Sequence, residues 1–310
     1  MTTMLPSQTL GVGFTWQSNL PPSLGRGWEL LDFLEISPDV LCRETVTNGE
    51  RRLTYHPGLL QEALDSATQL PIVIHGLGLS IGSATGWSEE YLSILDEFAA
   101  RQSFHWHSDH LAFMLTTAPD GTPLHTGIPL PMPFTDEAID LIAPRARAMC
   151  ERYGVPFLLE NLTYYLPDLP SEQGRDEIAF LNALTERSGC GLLFDLYNFY
   201  CNAVNFGFDP FAALARLRME SVIEIHLAGG ASHEGFLTDI HTREVPEPVW
   251  QLLEWVAPRA PNLAGIVYEV MEPAVPLLGP EKLTEQIARV RHIWDTHCAP
   301  SKRRSAYAIS

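Results

Sequence analysis

The chain has 310 residues, 45% of them hydrophobic and 19% charged, a globular composition that excludes disorder as a general description. Twenty basic against 38 acidic side chains leave a net charge of −18, which opposes binding of nucleic acid through a phosphate-neutralising face. Five cysteines, an odd number without CxxC spacing, suggest neither a disulfide framework nor a thiolate zinc site. No apolar run reaches the roughly 18 residues of a membrane span, and MTTMLPSQTL lacks the features of an export signal, so the expected location is the cytoplasm.

In chain order, apolar or β-branched runs predict strands at GVGFTW from Gly11, DFLEIS from Asp32, PIVIHG from Pro71 and FHWHSDHL from Phe104. Others follow at PFLLEN from Pro156, GLLFDLYN from Gly191, VIEIHLAG from Val222 and GIVYEVM from Gly265. Between them, periodic segments predict helices beginning near Ser88, Thr135 and Asp176, where hydroxyl or acidic side chains suit a first turn. Further helices start near Pro246 and Pro280, with weaker ones after Leu20, His56 and Phe208. Eight β-then-α units predict a (β/α)8 TIM barrel, one domain over residues 1–300. A doubly wound open sheet would carry a glycine-rich phosphate loop, and no GxGxxG or Walker pattern is present. The proline-loaded stretch TAPDGTPLHTGIPLPMP from Thr117 predicts a loop after the fourth strand, and the tail 301–310 is expected to be disordered.

Metal-competent side chains recur at the predicted strand ends: His75, Asp109 and His110, Glu160, Asp195, His226 and Glu269, with Asp239 and His241 in the loop after the seventh strand. In a barrel those ends converge on one face, where active sites assemble. Period-two alternation places Val73 with His75, Leu158 with Glu160, Leu193 with Asp195 and Val267 with Glu269, so each polar residue continues a core-facing row. One such histidine by itself as readily hydrogen-bonds a neighbouring carbonyl. The set is different, because buried carboxylates gathered together need cations, and a multivalent metal removes both desolvation and repulsion. Imidazole and carboxylate without thiolate suit iron, manganese or zinc, and the donors are numerous enough for two or three ions. For His105 and His107 the inward-facing row is not decided by sequence, and both stay outside the predicted ligand set.

The motifs HGLGLSIGS from His75, SDHLAF from Ser108, IPLPMPFT from Ile128, LLEN from Leu158, FDLYNFYCNA from Phe194, EIHLAGG from Glu224 and YEVM from Tyr268 share an order with one known group. Between about Gly11 and Pro280 the chain resembles the multinuclear non-haem iron-dependent oxidative enzymes, TIM barrels that include the methanobactin and thiaglutamate biosynthesis enzymes. The resemblance implies two or three irons, mixed Fe(II) and Fe(III), at His75, His110, Glu160, Asn198, His226, Asp239, His241 and Glu269, with Asp195 adjacent in its motif. It implies dioxygen as co-substrate and oxidation of cysteine in a ribosomally synthesised precursor peptide, with a separate leader-binding partner protein. β-Carbon excision and oxazolone or thioamide formation are products consistent with such a site. Relatives carry two consecutive Asn after the sixth-strand Asp, whereas here the first is Tyr197, a departure at a third-iron position that leaves Tyr197 to line a channel or to pack. The loops Gly229 to Pro248 and Thr117 to Pro133 are the expected substrate walls.

Two other functions fit the same residues. A divalent-metal hydrolase or isomerase of the xylose-isomerase-like type uses similar donors, and a non-catalytic scaffold in a peptide-maturation complex would keep the fold without turnover.

Overall fold

The computed structural model describes residues 3–20, 22–47 and 50–299, so the 301–310 tail lies outside the described residues. Eight parallel strands close into the barrel: β1 (Gly11–Thr15), β2 (Phe33–Ile36), β3 (Ile72–Gly76), β4 (His107–His110), β5 (Phe157–Glu160), β6 (Gly191–Asp195), β7 (Val222–Leu227) and β8 (Gly265–Tyr268). Each strand pairs with its neighbours in sequence, and the ring closes with Gly11 opposite Gly265 and Phe14 opposite Tyr268. The (β/α)8 expectation is met.

Helices α1 (Pro57–Ala67), α2 (Glu89–Ala99), α3 (Asp136–Tyr153), α4 (Glu177–Ser188), α5 (Leu196–Phe206), α6 (Pro210–Leu214), α7 (Glu247–Val256) and α8 (Val275–His297) lie between and after the strands, with a 3-10 turn at Gly25–Leu30 in place of a helix after β1 and two helices, α5 and α6, after β6. Ser88, Thr135 and Asp176 each cap their helix by accepting the amide hydrogen of the third residue on, which satisfies a donor the helix itself leaves open. Gly279, at φ 78°, breaks α8, so its long second segment starts at Pro280, where the sequence places it.

Inside the barrel, Phe33, Val73, Trp106, Leu158, Leu193, Ile223, Ala264 and Val267 form an apolar plug. Val73, Leu158, Leu193 and Val267 are the interior residues that alternation pairs with His75, Glu160, Asp195 and Glu269. The Phe33 ring fits because Gly13 and Gly265 lack side chains: a Cβ would fall 2.5 Å from the ring at Gly13 and 2.7 Å at Gly265. A one-residue slip in the β6–β7 pairing, between Leu192 with Val222 and Leu193 with Glu224, lets Ile223 enter the plug while Glu224 still reaches inward to Trp106. This plug is the floor on which the polar cluster stands.

The expectation of an irregular loop from Thr117 to Pro133 is corrected. Pro123–Pro131 is a strand that pairs antiparallel with Ala112–Thr117. A two-stranded ribbon tolerates proline because each strand has an unpaired edge, where no amide hydrogen is needed, and the register shift between Phe113 and Leu115 absorbs the mismatch. A second hairpin, Ala231–His233 with Phe236–Thr238, precedes Asp239.

Candidate metal centre

The C-terminal ends of the strands deliver the polar side chains to one point. On β4 the inward row is Trp106, Ser108 and His110: Trp106 belongs to the plug, and Ser108 meets the His75 ring. The alternate row points away. His107 is buried with Nε2 2.9 Å from the Tyr91 hydroxyl of α2, Asp109 accepts the Leu79 amide hydrogen, and His105 sits 3.3 Å from Gln8. Asp109 therefore belongs to the packing of α2 and the β3 loop, and His105 and His107 share its outward row.

Glu160, the last residue of β5, is the hub. Its Oε2 is 3.3 Å from Nε2 of His75 and 3.3 Å from Nε2 of His110, and its Oε1 is 3.9 Å from Nδ1 of His226. Donor atoms of His75, His110 and Glu160 lie within 4.8 Å of one another, and so do those of Glu160, Asp195, His226 and Glu269. Glu160 is common to both groups. From Glu269 the cluster continues outward: its Oε2 is 2.8 Å from His226 Nδ1, and its Oε1 is 3.2 Å from Nδ1 of His241, whose Nε2 pairs closely with Asp239. His241 adopts φ 46°, a left-handed conformation uncommon for a non-glycine residue, and its carbonyl accepts the Met271 amide hydrogen at 2.9 Å.

Burial sets the electrostatics. It pushes the His110 pKa down to about 4 and, reinforced by His110 and His226, drives His75 well below the usual imidazole range, so both rings present lone pairs near neutral pH. Burial raises Glu160 well above the carboxylate range and Asp195 to about 7. For His226 burial opposes charge, but Glu35 and Glu269 outweigh it and hold the ring well above its ordinary value; Asp239 and Glu269 do the same for His241. Burial also opposes charge on Glu269, and His241 with His226 outweigh it, keeping that carboxyl well below its usual range.

The residues fit a metal on their own chemistry. His75 Nε2, Glu160 Oε2 and Asp195 Oδ2 are buried and make no hydrogen bond. Buried polar atoms are nearly always paired, and these three are drawn together around Glu160 at the mouth of the barrel. A cation is the species that satisfies lone pairs from imidazole and carboxylate together. Ser108 reinforces this: its hydroxyl donates to the Ile74 carbonyl at 3.1 Å, so at 3.0 Å it accepts the Nδ1 hydrogen of His75 and leaves Nε2 as a lone pair toward Glu160.

Asn198 is placed differently from the other predicted ligands. Its amide oxygen accepts the Thr163 hydroxyl at 2.6 Å, its amide nitrogen donates to the Asn161 carbonyl, and its backbone amide donates to Asp195 Oδ1, the cap of α5. The side chain thus ties the start of α5 to the segment that follows β5. Tyr197 is buried, its hydroxyl donating to the Thr238 carbonyl at 3.3 Å and its ring 6.4 Å from that of His241, so it packs beneath the Asp239 and His241 loop.

Sequence reasoning missed two acids. Glu35 on β2 and Glu224 on β7 are fully buried, and with His226 their donor atoms lie within 4.8 Å of one another. Alternation carried the signal: Glu35 follows Phe33 and Glu224 precedes His226 on the same faces.

The sequence matches the family model described as RiPP precursor modification enzyme MbnB/TglH/ChrH over residues 10–294. The chain belongs to this family. Among its relatives, a UPF0276 protein of Caulobacter vibrioides strain NA1000 is 33% identical over 77% of this chain and 79% of its own length. Another UPF0276 protein, from Anaeromyxobacter sp. strain Fw109-5, is 39% identical over 59% of this chain, and the aligned stretch spans 62% of that relative. A crystal structure of the IOLI protein with a binding zinc atom superposes with a TM-score of 0.51 at 14% identity, covering 92% of this chain and 98% of that one, a likeness of fold. Among the described residues no helix is long and apolar enough to cross a membrane.

Proposed function

We propose that this protein oxidises cysteine residues of a ribosomally synthesised precursor peptide, using two or three iron ions and dioxygen. The observation that carries the reading is Glu160, placed between the His75 and His110 pair and the His226 side of the cluster, with buried donor atoms around it left unpaired. A carboxylate shared by two donor groups suits ions held close together. Membership of a family of precursor-modifying enzymes supports a peptide substrate, and the mixed imidazole and carboxylate donors are compatible with iron.

In this reading His75, His110 and Glu160 hold one ion, Glu160, Asp195, His226 and Glu269 a second, and Asp239 with His241 contribute toward a third. Iron bound there supplies one-electron chemistry with dioxygen and an attachment point for a substrate thiolate. The chain's own part is to keep His75 and His110 neutral, to hold the carboxylates without protons once a cation is present, and to exclude water with the plug below. The Asp239 and His241 loop and the Pro-rich hairpin are the proposed peptide-facing walls, and a leader-gripping partner protein would supply the peptide's register.

Oxygen uptake by iron-loaded protein with a cysteine-bearing precursor peptide, alone and with a co-expressed partner, tests this reading. Uptake coupled to a mass change at cysteine is expected, and abolished by replacing cysteine with serine. Hydrolysis or sugar isomerisation with zinc or manganese, without oxygen uptake, would replace it with the metal-hydrolase alternative.

A further inference from the structure

Both ring nitrogens of His226 are engaged, each by a different carboxylate. Nδ1 is 2.8 Å from Glu269 Oε2 and 3.9 Å from Glu160 Oε1, facing the metal-binding cluster. Nε2 is 2.8 Å from Oε2 of Glu35, which reaches in from β2 below that cluster. The other Glu35 oxygen is 3.5 Å from the Thr15 hydroxyl. Beneath, Glu224 takes the Trp106 indole hydrogen at 2.8 Å on one oxygen, and the plug closes the floor. Glu35 and His226 are both fully buried.

We infer that Glu35 is the positioning residue of His226: its carboxylate takes the Nε2 hydrogen and thereby turns Nδ1, as a lone pair, toward Glu160, Asp195 and Glu269. This rests on the metal reading of the site. Without a metal both ring nitrogens hydrogen-bond carboxylates; a cation at Nδ1 takes the place of that nitrogen's hydrogen, and the one hydrogen a neutral imidazole keeps stays at Nε2, on Glu35. The acceptor's charge matters as well as its place, because a carboxylate behind an imidazole raises the basicity of the ring's other nitrogen. His75 provides the internal contrast, since the acceptor behind its ring is the uncharged Ser108 hydroxyl. The two histidines therefore differ in donor strength by construction, His226 being the stronger. Glu35 does this from β2, three strands round the ring from β7, and so ties β2 to a ligand on β7.

The test uses zinc as a diamagnetic probe bound to the full chain, with 15N-histidine NMR and competitive zinc titration on wild type, Glu35→Gln, Glu35→Leu and His226→Ala. The wild type is expected to show His226 zinc-bound through Nδ1, with a downfield, exchange-protected Nε2 hydrogen. Glu35→Leu should lose that hydrogen signal and weaken zinc by about 10- to 100-fold. Glu35→Gln, which keeps shape and a neutral acceptor, should fall between them. Thermal melts of the metal-free variants confirm that they are folded, and Glu35→Gln keeps the test alive if Glu35→Leu is not. Zinc bound through Nε2, or wild-type affinity and wild-type spectra in both Glu35 variants while His226→Ala loses zinc, would overturn the role of Glu35 alone. Failure of the wild type to bind zinc or iron would overturn the metal reading with it.

Discussion

The Ser108 hydroxyl lies 3.0 Å from His75 Nδ1 and spends its own hydrogen on the Ile74 carbonyl, so it acts on the ring as an acceptor. Ser108→Ala should free the His75 ring to adopt the other tautomer and leave a buried N–H unpaired. The expected result is a metal affinity lower by about 10-fold or more, with a stability loss of about 1–3 kcal/mol, read by iron titration and by denaturant melts of the metal-free protein.

Glu160→Gln separates structure from charge. Burial disfavours the ionised form of Glu160 in the metal-free protein, so an amide of the same shape should leave the metal-free melting temperature nearly unchanged. The stabilisation of the wild type by a metal at 100-fold its dissociation constant, about 2.7 kcal/mol, should disappear in the variant. Thermal melts with and without added iron measure both quantities.

Gly230→Ala tests the outer part of the site without touching a ligand. A Cβ there would lie 2.6 Å from the Tyr197 hydroxyl and would also collide with the Thr238 carbonyl oxygen, so the segment leading to Asp239 and His241 has to move. The expected outcome is the loss of one iron per chain with the barrel intact by circular dichroism, while Tyr197→Phe, which keeps the ring, should retain that iron.

Glu177 gives a pH prediction away from the metal-binding residues. Burial raises its carboxyl to about 8 from an ordinary 4.5, against the opposing hydrogen bonds of Asn202. Between those values the folded chain holds a proton that the unfolded chain releases, so this group's contribution to stability falls as pH rises from about 4.5 to about 8 and levels off above. The slope approaches roughly 1.4 kcal/mol per pH unit. Glu177→Gln should flatten this part of a stability-against-pH curve, and an unchanged slope in denaturant titrations across that range would show that Glu177 is not the group responsible.

The fold and the site's inner residues were legible because a buried strand writes its direction in alternation. Val73 and Leu158 face the plug, so His75 and Glu160 two residues on face the cluster. The same rule reaches Glu35 and Glu224, but a carboxylate inside a strand reads as an ordinary surface residue until its partner, His226, 191 residues away for Glu35, is in place. On β4 the row was ambiguous because His105, His107 and Asp109 mimic ligands, and packing against α2 decides it. The Pro123–Pro131 strand was hidden because proline content reports the loss of amide donors and not whether an edge needs them. Asn198 was inferred from resemblance, and its hydrogen bonds depend on Thr163 and Asn161, whose approach no local pattern encodes.

Metal analysis with Mössbauer spectroscopy on protein purified without oxygen decides whether the cluster around Glu160 holds iron. Two or three irons per chain, magnetically coupled, are expected, falling to one or none in Glu160→Ala. A full complement of zinc or manganese with no iron, or iron retained in undiminished amount by Glu160→Ala, would contradict that expectation.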